Sequence, residues 1–403
     1  MDINLTVFAA PIFLILIGIE WSISYYKKSS VYQFNDSINN LSTGILEEIA
    51  ALPVRGAIIF GYYYLYEHFA VFHINSHLII SWILLWLGVD FCYYWYHRAS
   101  HRCNFLWIGH SVHHQSENYN LSVALRQGYF QTLTSWVFYL PLALIGFPTW
   151  MFVLIASSNT IYQFWIHTQS INRMGLLEIM FNTPSHHRVH HGINPQYIDK
   201  NFAGSLIIWD KIFGTFEPEK IPVEYGITEP LETWNPFYAN VKVVKDVLYY
   251  GKNLKNKLDL IKAFFMPPEW VINQLQEQND IPKRVVNKKN SQSPKLYMLF
   301  NIALAIVLYA YLSFIFTLDS LSSWLMGVFI LFTLYTLGSI ANGKQKNLFF
   351  ELLRSIILLF ILLSLKNGIF LSFGLAILFL LVNLFLFRFS LFRKQSYVSS
   401  ISA

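Results

Sequence analysis

The sequence predicts an all-α, polytopic membrane protein, and three observations carry that prediction. First, 54% of the 403 residues are hydrophobic and only 13% are charged, with a mean hydropathy of +0.40; soluble domains carry about 25% charged residues. Second, apolar runs recur at close to the ~20 residues that a helix needs to cross a bilayer. Third, Lys and Arg are confined almost entirely to alternate loops between those runs, which is the asymmetry that fixes orientation in a membrane.

Taken in order, the first apolar run covers residues 7–26. It has no basic segment before it and ends in Tyr25-Tyr26-Lys27-Lys28 instead of a small-residue cleavage site, so it reads as a retained anchor. Runs at 50–72 and 77–96 come next. The pair 129–147 and 149–166 turns at Gly146-Phe147-Pro148, as a hairpin that need not cross completely. A polar stretch covers 167–294. Within it, 242–262 is Lys-rich with apolar residues at helical spacing, and Met266-Pro267-Pro268 ends the pattern. Two readings of that helix stand open: it lies on anionic headgroups, or it is a solvated helix of a cytoplasmic cap. Residues 280–295 read as a linker. Four more runs, 296–316, 322–341, 347–365 and 368–387, predict a C-terminal transmembrane bundle.

With the N-terminus outside, Lys27, Lys28, Arg98, Arg102, Arg126, the 167–294 stretch, Lys344, Lys346, Arg388, Arg393 and Lys394 share one face. The opposite loops 73–76, 147–148 and 317–321 have neither Lys nor Arg, and only Lys366 opposes the trend. The basic face is therefore expected to be cytoplasmic. The expected organisation is N-terminal membrane helices over 1–76, a central domain with a membrane hairpin over 77–220, an amphipathic and linker region over 221–294, and the bundle over 295–403. The net charge of +6 is scattered among loops, which gives no reason to expect a nucleic-acid partner. Cys92 and Cys103 are the only cysteines and lack CxxC spacing, so neither a disulfide framework nor a thiolate metal site is implied.

The chemistry is concentrated in histidine. Ten of the thirteen histidines fall between residues 97 and 191, as His97-x3-His101, His110-x2-His113-His114, an isolated His167, and His186-His187-x2-His190-His191. Residues i, i+3 and i+4 share one helix face, and each cluster sits just beyond an apolar run on the predicted cytoplasmic side. Nine imidazoles, those of His97, His101, His110, His113, His114, His167, His187, His190 and His191, can therefore converge and supply four or five nitrogens to each of two metals. Without a metal, so many rings buried near a membrane would leave polar groups unsatisfied at roughly 1–3 kcal/mol each. Nine ligands exceed the needs of one zinc or of a bis-histidine haem; two irons with open positions for O2 fit better. His68, His73 and His77 fall near the opposite face and read as ordinary interface residues. His186 adjoins the third cluster but breaks its register.

The pattern HxxxH, HxxHH, HxxHH, in that order over roughly 80–220, resembles the fatty acid hydroxylase/sterol desaturase superfamily. Within it, the chain is most similar to the alkylglycerol monooxygenase subgroup. The resemblance is carried by Asp90–His101 (DFCYYWYHRASH), Asn104–Gln127 (NFLWIGHSVHHQSENYNLSVALRQ), Phe164–Thr168 (FWIHT), Asn182–Gly192 (NTPSHHRVHHG), Asn201–Phe216 (NFAGSLIIWDKIFGTF) and, more weakly, Tyr225-Gly226-Ile227. The extra C-terminal bundle agrees with that subgroup. The resemblance implies a non-haem di-iron centre in a cytoplasmic-face catalytic cap and O2-dependent oxidation of a lipid C–H bond. For the subgroup it implies hydroxylation beside an ether oxygen, with release of a fatty aldehyde and tetrahydrobiopterin as reductant. The location implied is a bacterial inner membrane or the endoplasmic reticulum.

Further residues acquire expected roles. Asp90, about two turns before His97, is expected either to orient an imidazole by accepting its second N–H or to be an interfacial acid. Glu117, Asn118, Asn120 and Arg126 match the subgroup segment and are expected to contact a pterin or a lipid headgroup, with loop capping the alternative, favoured for Asn118 and Asn120. Arg188 can pair with a carboxylate, and Asp210 is expected to fix a loop. No GxGxxG fingerprint and no fused haem or flavin domain is recognisable, so electrons must come from a pterin or an external redox protein. Two rival readings remain: a sterol, carotenoid or fatty acyl hydroxylase or desaturase, and a metal transporter. Transport would place ligands at mid-membrane on broken helices.

Overall fold

The computed structural model describes residues 5–277, 293–343, 347–365 and 368–399. The expected linker lies largely outside them, as do Lys344, Lys346 and Lys366. Among the described residues the only β pairing is two isolated bridges, Phe181 to Leu206 and Gly192 to Tyr225. The chain divides into two compact units, Met1–Leu231 with Asn240–Val286, and Glu232–Ala239 with Asn287–Ala403.

The first unit begins with α1 (Leu5–Tyr26), α2 (Phe34–Phe69), α3 (Ile79–Arg102) and α4 (Asn104–His114). Helix α2 starts well before the apolar run that predicts it. Its first turns carry Asn35, Asp36, Asn39, Asn40, Ser42 and Thr43, all buried, so no hydropathy pattern reveals them. Two of those side chains bond the loop after α4: Asn40 donates to Ser122 at 3.0 Å and Ser116 donates to Asp36 at 2.7 Å. The run at 129–147 is broken into α5 (Tyr129–Ser135), a 3-10 turn and α6 (Leu140–Ile145), with Pro141 in the first turn of α6. Gly146 then reverses the chain at φ +113°, where an added Cβ would lie 1.8 Å from the Phe72 carbonyl oxygen. Helix α7 (Thr149–Trp165) returns. The cap is built from α8 (Pro184–His190), α9 (Ile208–Ile212), α10 (Pro236–Gly251), α11 (Asp259–Ala263) and α12 (Trp270–Glu277).

Helix α10 differs from its expected bounds, starting earlier and stopping at Gly251. Val243, Val247 and Tyr250 pack with Ile108 of α4 and Val271 and Leu275 of α12, so α10 turns its apolar face into the protein core.

Five helices among the described residues are long and apolar enough to cross a membrane: Phe8–Tyr26, Ile79–Arg102, Lys295–Ile315, Leu321–Ala341 and Ile369–Ser390. The protein is a multi-pass integral membrane protein. In the second unit α13 (Lys295–Ile315), α14 (Leu321–Ala341), α15 (Asn347–Ser364) and α16 (Ile369–Ser399) pack in sequence and close α16 onto α13 as a four-helix bundle. Its interior holds a buried ion pair between Arg354 and Glu351 at 2.9 Å.

Two contacts within the first unit position the histidine-bearing helices. Residues 202–213 fold back against the middle of α3, with Trp209 edge-on to Phe91 at 5.1 Å and Phe213 edge-on to Trp95 at 5.0 Å. Irregular backbone can occupy such a level only when its polar groups are satisfied inside the protein. Helix α4 also lies with its backbone against α5: a Cβ on Gly109 would meet Gln131 N at 2.7 Å, and one on Gly128 would meet Gly109 O at 2.1 Å. Backbone atoms cannot swing aside. Gly109→Ala should therefore push α4 outward, destabilise the fold by about 1–3 kcal/mol, and lower the metal content of purified protein, as thermal melting and elemental analysis would show.

Candidate metal centre

Nine histidines reach one buried site from four places. His97 and His101 come from the last turns of α3, and His110, His113 and His114 from α4. His167 lies just past α7, and His187, His190 and His191 come from α8 and its C-terminal residue. They form two sets: His97, His101, His110, His114 and His190, and His113, His167, His187 and His191. Within each set one nitrogen per ring lies within 4.8 Å of all the others. His186 stays outside, edge-on to Phe216, and His68, His73 and His77 are exposed elsewhere.

The Nε2 atoms crowd together: His97 to His110 at 2.8 Å, His114 to His110 and to His190 at 3.1 Å, His167 to His113 at 3.1 Å and to His187 at 3.0 Å. Two nitrogens bound at right angles to one metal at about 2.1 Å lie about 3.0 Å apart. The opposite ring nitrogens explain why this crowding suits a cation. His113 Nδ1 faces the Arg126 carbonyl at 2.9 Å and His167 Nδ1 faces the Gln163 carbonyl at 2.7 Å. Carbonyl oxygens only accept, so each ring holds its proton on Nδ1 and the two Nε2 lone pairs confront each other. His97 and His190 are held in the same way by the carbonyls of Phe202 at 2.7 Å and Lys200 at 3.0 Å. The buried Nε2 atoms of His101 and His191 have no hydrogen-bond partner. This donor set fits a metal centre.

The electrostatics agree. Burial, reinforced by the charge that neighbouring imidazoles would carry, pushes His110 down to about 3 and holds His113, His114, His187, His190 and His191 well below the ordinary histidine range; burial pushes His167 down to about 4. All are neutral at pH 7, the form that binds metals.

Other expected site residues land elsewhere. Asp90 does not reach an imidazole. Its carboxylate accepts from Ser205 N at 2.6 Å, Ser205 Oγ at 2.9 Å, Leu206 N at 3.0 Å and Trp209 Nε1 at 3.0 Å. It thus satisfies the irregular segment against α3, and Asp210 does the same for Phe202 N and Ala203 N. The two acids fix the Phe202 carbonyl that holds His97. Arg126 is likewise tied into the fold. It is 1% exposed, and its guanidinium donates to the Val112 carbonyl, Asn39, Asn40 and Gln115, bracing α2 against α4. Asn118 closes a local turn with Ser116 through its backbone carbonyl and N–H, and Asn120 caps the 3-10 turn just after it. Glu117 is exposed and lies beside Gly226. Arg188 does pair with a carboxylate, gripping Glu219 at 2.9 and 2.7 Å.

Asp199 and Glu20 join the site without any motif to announce them. Asp199 lies 3.5 Å from His101 Nδ1 and accepts from Arg102 at 2.6 Å. Glu20, on α1, accepts from Tyr32, Leu121 N and Thr168 and so ties the first helix to the residue after His167. Asp199 has φ +58° and Asn201 φ +56°, a conformation that Asn and Asp tolerate; that Asp-Lys-Asn run is the only local hint. A cavity of about 560 Å³ reaches His101, His114, His190 and His191, with apolar walls from Trp107, Val247 and Ile272.

Residues 82–215 match the family model described as fatty acid hydroxylase. The chain is 38% identical to alkylglycerol monooxygenase of Homo sapiens over 87% of its own length and 81% of the relative's, and 36% identical to that of Xenopus tropicalis over 88% and 81%. It is also 30% identical to an ornithine lipid hydroxylase of Rhizobium tropici, over 34% of this chain and 43% of the relative. No solved structure matches. With likeness extending over four-fifths of full-length relatives and the histidine sets in place, the chain belongs to the alkylglycerol monooxygenase family and is a membrane-embedded lipid monooxygenase.

Proposed function

We propose that the nine histidines hold two irons, five rings on one and four on the other, and that the enzyme uses O2 to hydroxylate the carbon beside the ether oxygen of an alkylglycerol. The observation that carries this reading is the pair of buried imidazole sets with opposed Nε2 lone pairs. The irons would supply O2 activation. One oxygen atom enters the C–H bond, and the other leaves as water with two electrons and two protons from the reductant. The hemiacetal so formed collapses to a fatty aldehyde and glycerol.

The chain's own residues act by exclusion and position. Carbonyls of Phe202, Arg126, Gln163 and Lys200 hold four rings with Nε2 inward. The apolar cavity walls take the alkyl chain, which gains about 0.8 kcal/mol per CH2 by leaving water. Tetrahydrobiopterin is the reductant that the subgroup resemblance implies. Since Arg126 is fully engaged in the fold, Glu117 and Asn118 are the remaining polar candidates for contact with it. The Lys/Arg asymmetry supports a cytoplasmic catalytic face, in a bacterial inner membrane or the endoplasmic reticulum.

Purified protein given 1-O-alkylglycerol, O2 and tetrahydrobiopterin should release fatty aldehyde without a protein electron donor, as detected by mass spectrometry. A hydroxylated lipid formed only with a ferredoxin system would replace the ether-cleavage reading with that of an ordinary hydroxylase.

A further inference from the structure

The short helix α11 and its flanks present apolar side chains at the surface of the described residues. Leu258 is 67% exposed, Ile261 62% and Phe265 64%. Phe105 stacks on Phe265 with ring centroids 6.2 Å apart and is itself half exposed. Four exposed lysines, Lys252, Lys255, Lys257 and Lys262, lie in the same stretch of chain. Apolar tips interspersed with lysine match the composition of an interfacial membrane anchor, and the lysines complement anionic headgroups.

The position of the patch points the same way independently. The residues just after α3 bind it directly: Asn104 N donates to Met266 O at 3.0 Å, Phe105 N to Phe264 O at 2.6 Å, and Asn104 Nδ2 to Ala263 O at 2.8 Å. Helix α3 has 24 residues, about 36 Å at 1.5 Å per residue. That exceeds the hydrocarbon core of about 30 Å by only a few ångströms. With α3 upright in the bilayer, a segment fastened just past its end lies at the level of the headgroups. Of the cap elements, α10 turns its apolar face inward, while α11 and the residues just after it turn Ile261 and Phe265 outward.

We propose that residues 258–266, with Phe105, rest in the headgroup layer of the bilayer that α3 crosses, and that this contact delivers lipid to the site. Asn104 and Pro268, on either side of the patch, line the cavity that reaches His101 and His190. A lipid at this level thus lies next to the cavity wall. The delivery role rests on the monooxygenase reading; the membrane contact does not, and the test separates them.

The photocrosslinker p-benzoylphenylalanine, encoded at position 261 of the full chain in native membranes, should form lipid adducts detectable by mass spectrometry. It should do so as readily as at position 15 in α1, while position 220 should form none. Adducts at 15 but none at 261 would overturn the membrane contact without touching the assigned activity. For delivery, Ile261→Asp combined with Phe265→Asp should raise the apparent KM for bilayer-presented substrate by about fivefold or more. The KM for detergent-presented substrate and the metal content should stay unchanged. A positive crosslink with an unchanged KM in bilayers would overturn delivery and leave the anchor standing.

Discussion

His113→Ala should reduce turnover below about 1% of the parent and release close to one of the two proposed metals, because it removes a nitrogen from the smaller set, which has four rings and none to spare. Losing a mere orienting partner of a metal ligand already costs about 10–100-fold in affinity or activity; losing the ligand must cost more. His190→Ala acts on the other set, where four rings remain. It should also abolish turnover, with metal retained more tightly than in His113→Ala. His73→Ala, exposed and remote from both sets, serves as the control and should keep its activity. Elemental analysis beside an activity assay distinguishes these outcomes. Equal losses in all three variants, with unchanged metal, would mean that the histidines act through folding.

The second large effect is expected at Asp90. Asp90→Ala leaves Ser205 N, Leu206 N and Trp209 Nε1 without their acceptor in a buried setting, at roughly 1–3 kcal/mol each. A loss of that size lowers the melting temperature by at least about 6 °C in a domain of this size. Segment 202–213 should detach from α3 and carry the Phe202 carbonyl away from His97, so metal content should fall together with stability. Asp90→Asn retains one acceptor oxygen and should be milder on both counts. Thermal melting of the detergent-solubilised protein checks the ordering; an Asp90→Ala variant as stable as the parent would remove the acid from this role.

How the histidines divide shows where sequence reading stops. The spacings place each cluster on one helix face, and all nine rings do converge. The apportionment is not visible, because consecutive residues on a helix point about 100° apart. Each i, i+4 pair stays together: His97 with His101, His110 with His114, His187 with His191. The i+3 residue of each HxxHH run crosses over, so His113 joins the pair from α8 and His190 joins the pair from α4. Neither set can therefore be assembled from one helix, a feature that depends on how α4 and α8 face each other.

Asp90 and Arg126 read as chemical groups only because they stand near histidines in the chain. Their partners, Ser205 for one and Asn39 for the other, are distant in sequence and nothing local announces them. The polar first half of α2 is hidden for the same reason, since it is buried against a loop about eighty residues away. The apolar spans are legible because a bilayer imposes its thickness on each helix separately.

The Asp90 contact also bears on how the protein is made. An aspartate near the middle of a membrane helix adds about 2.5–3.5 kcal/mol to the free energy of insertion. The groups that satisfy this one begin at Ser205, 115 residues further along the chain. At roughly 5–20 residues per second, they leave the ribosome roughly 6 to 23 s after Asp90 does. Helix α3 thus enters the membrane as an incomplete element whose aspartate meets its partners only when about half of the 403 residues have been made. Until residues 205–209 arrive, it depends on its neighbours or on the insertion machinery to stay in place.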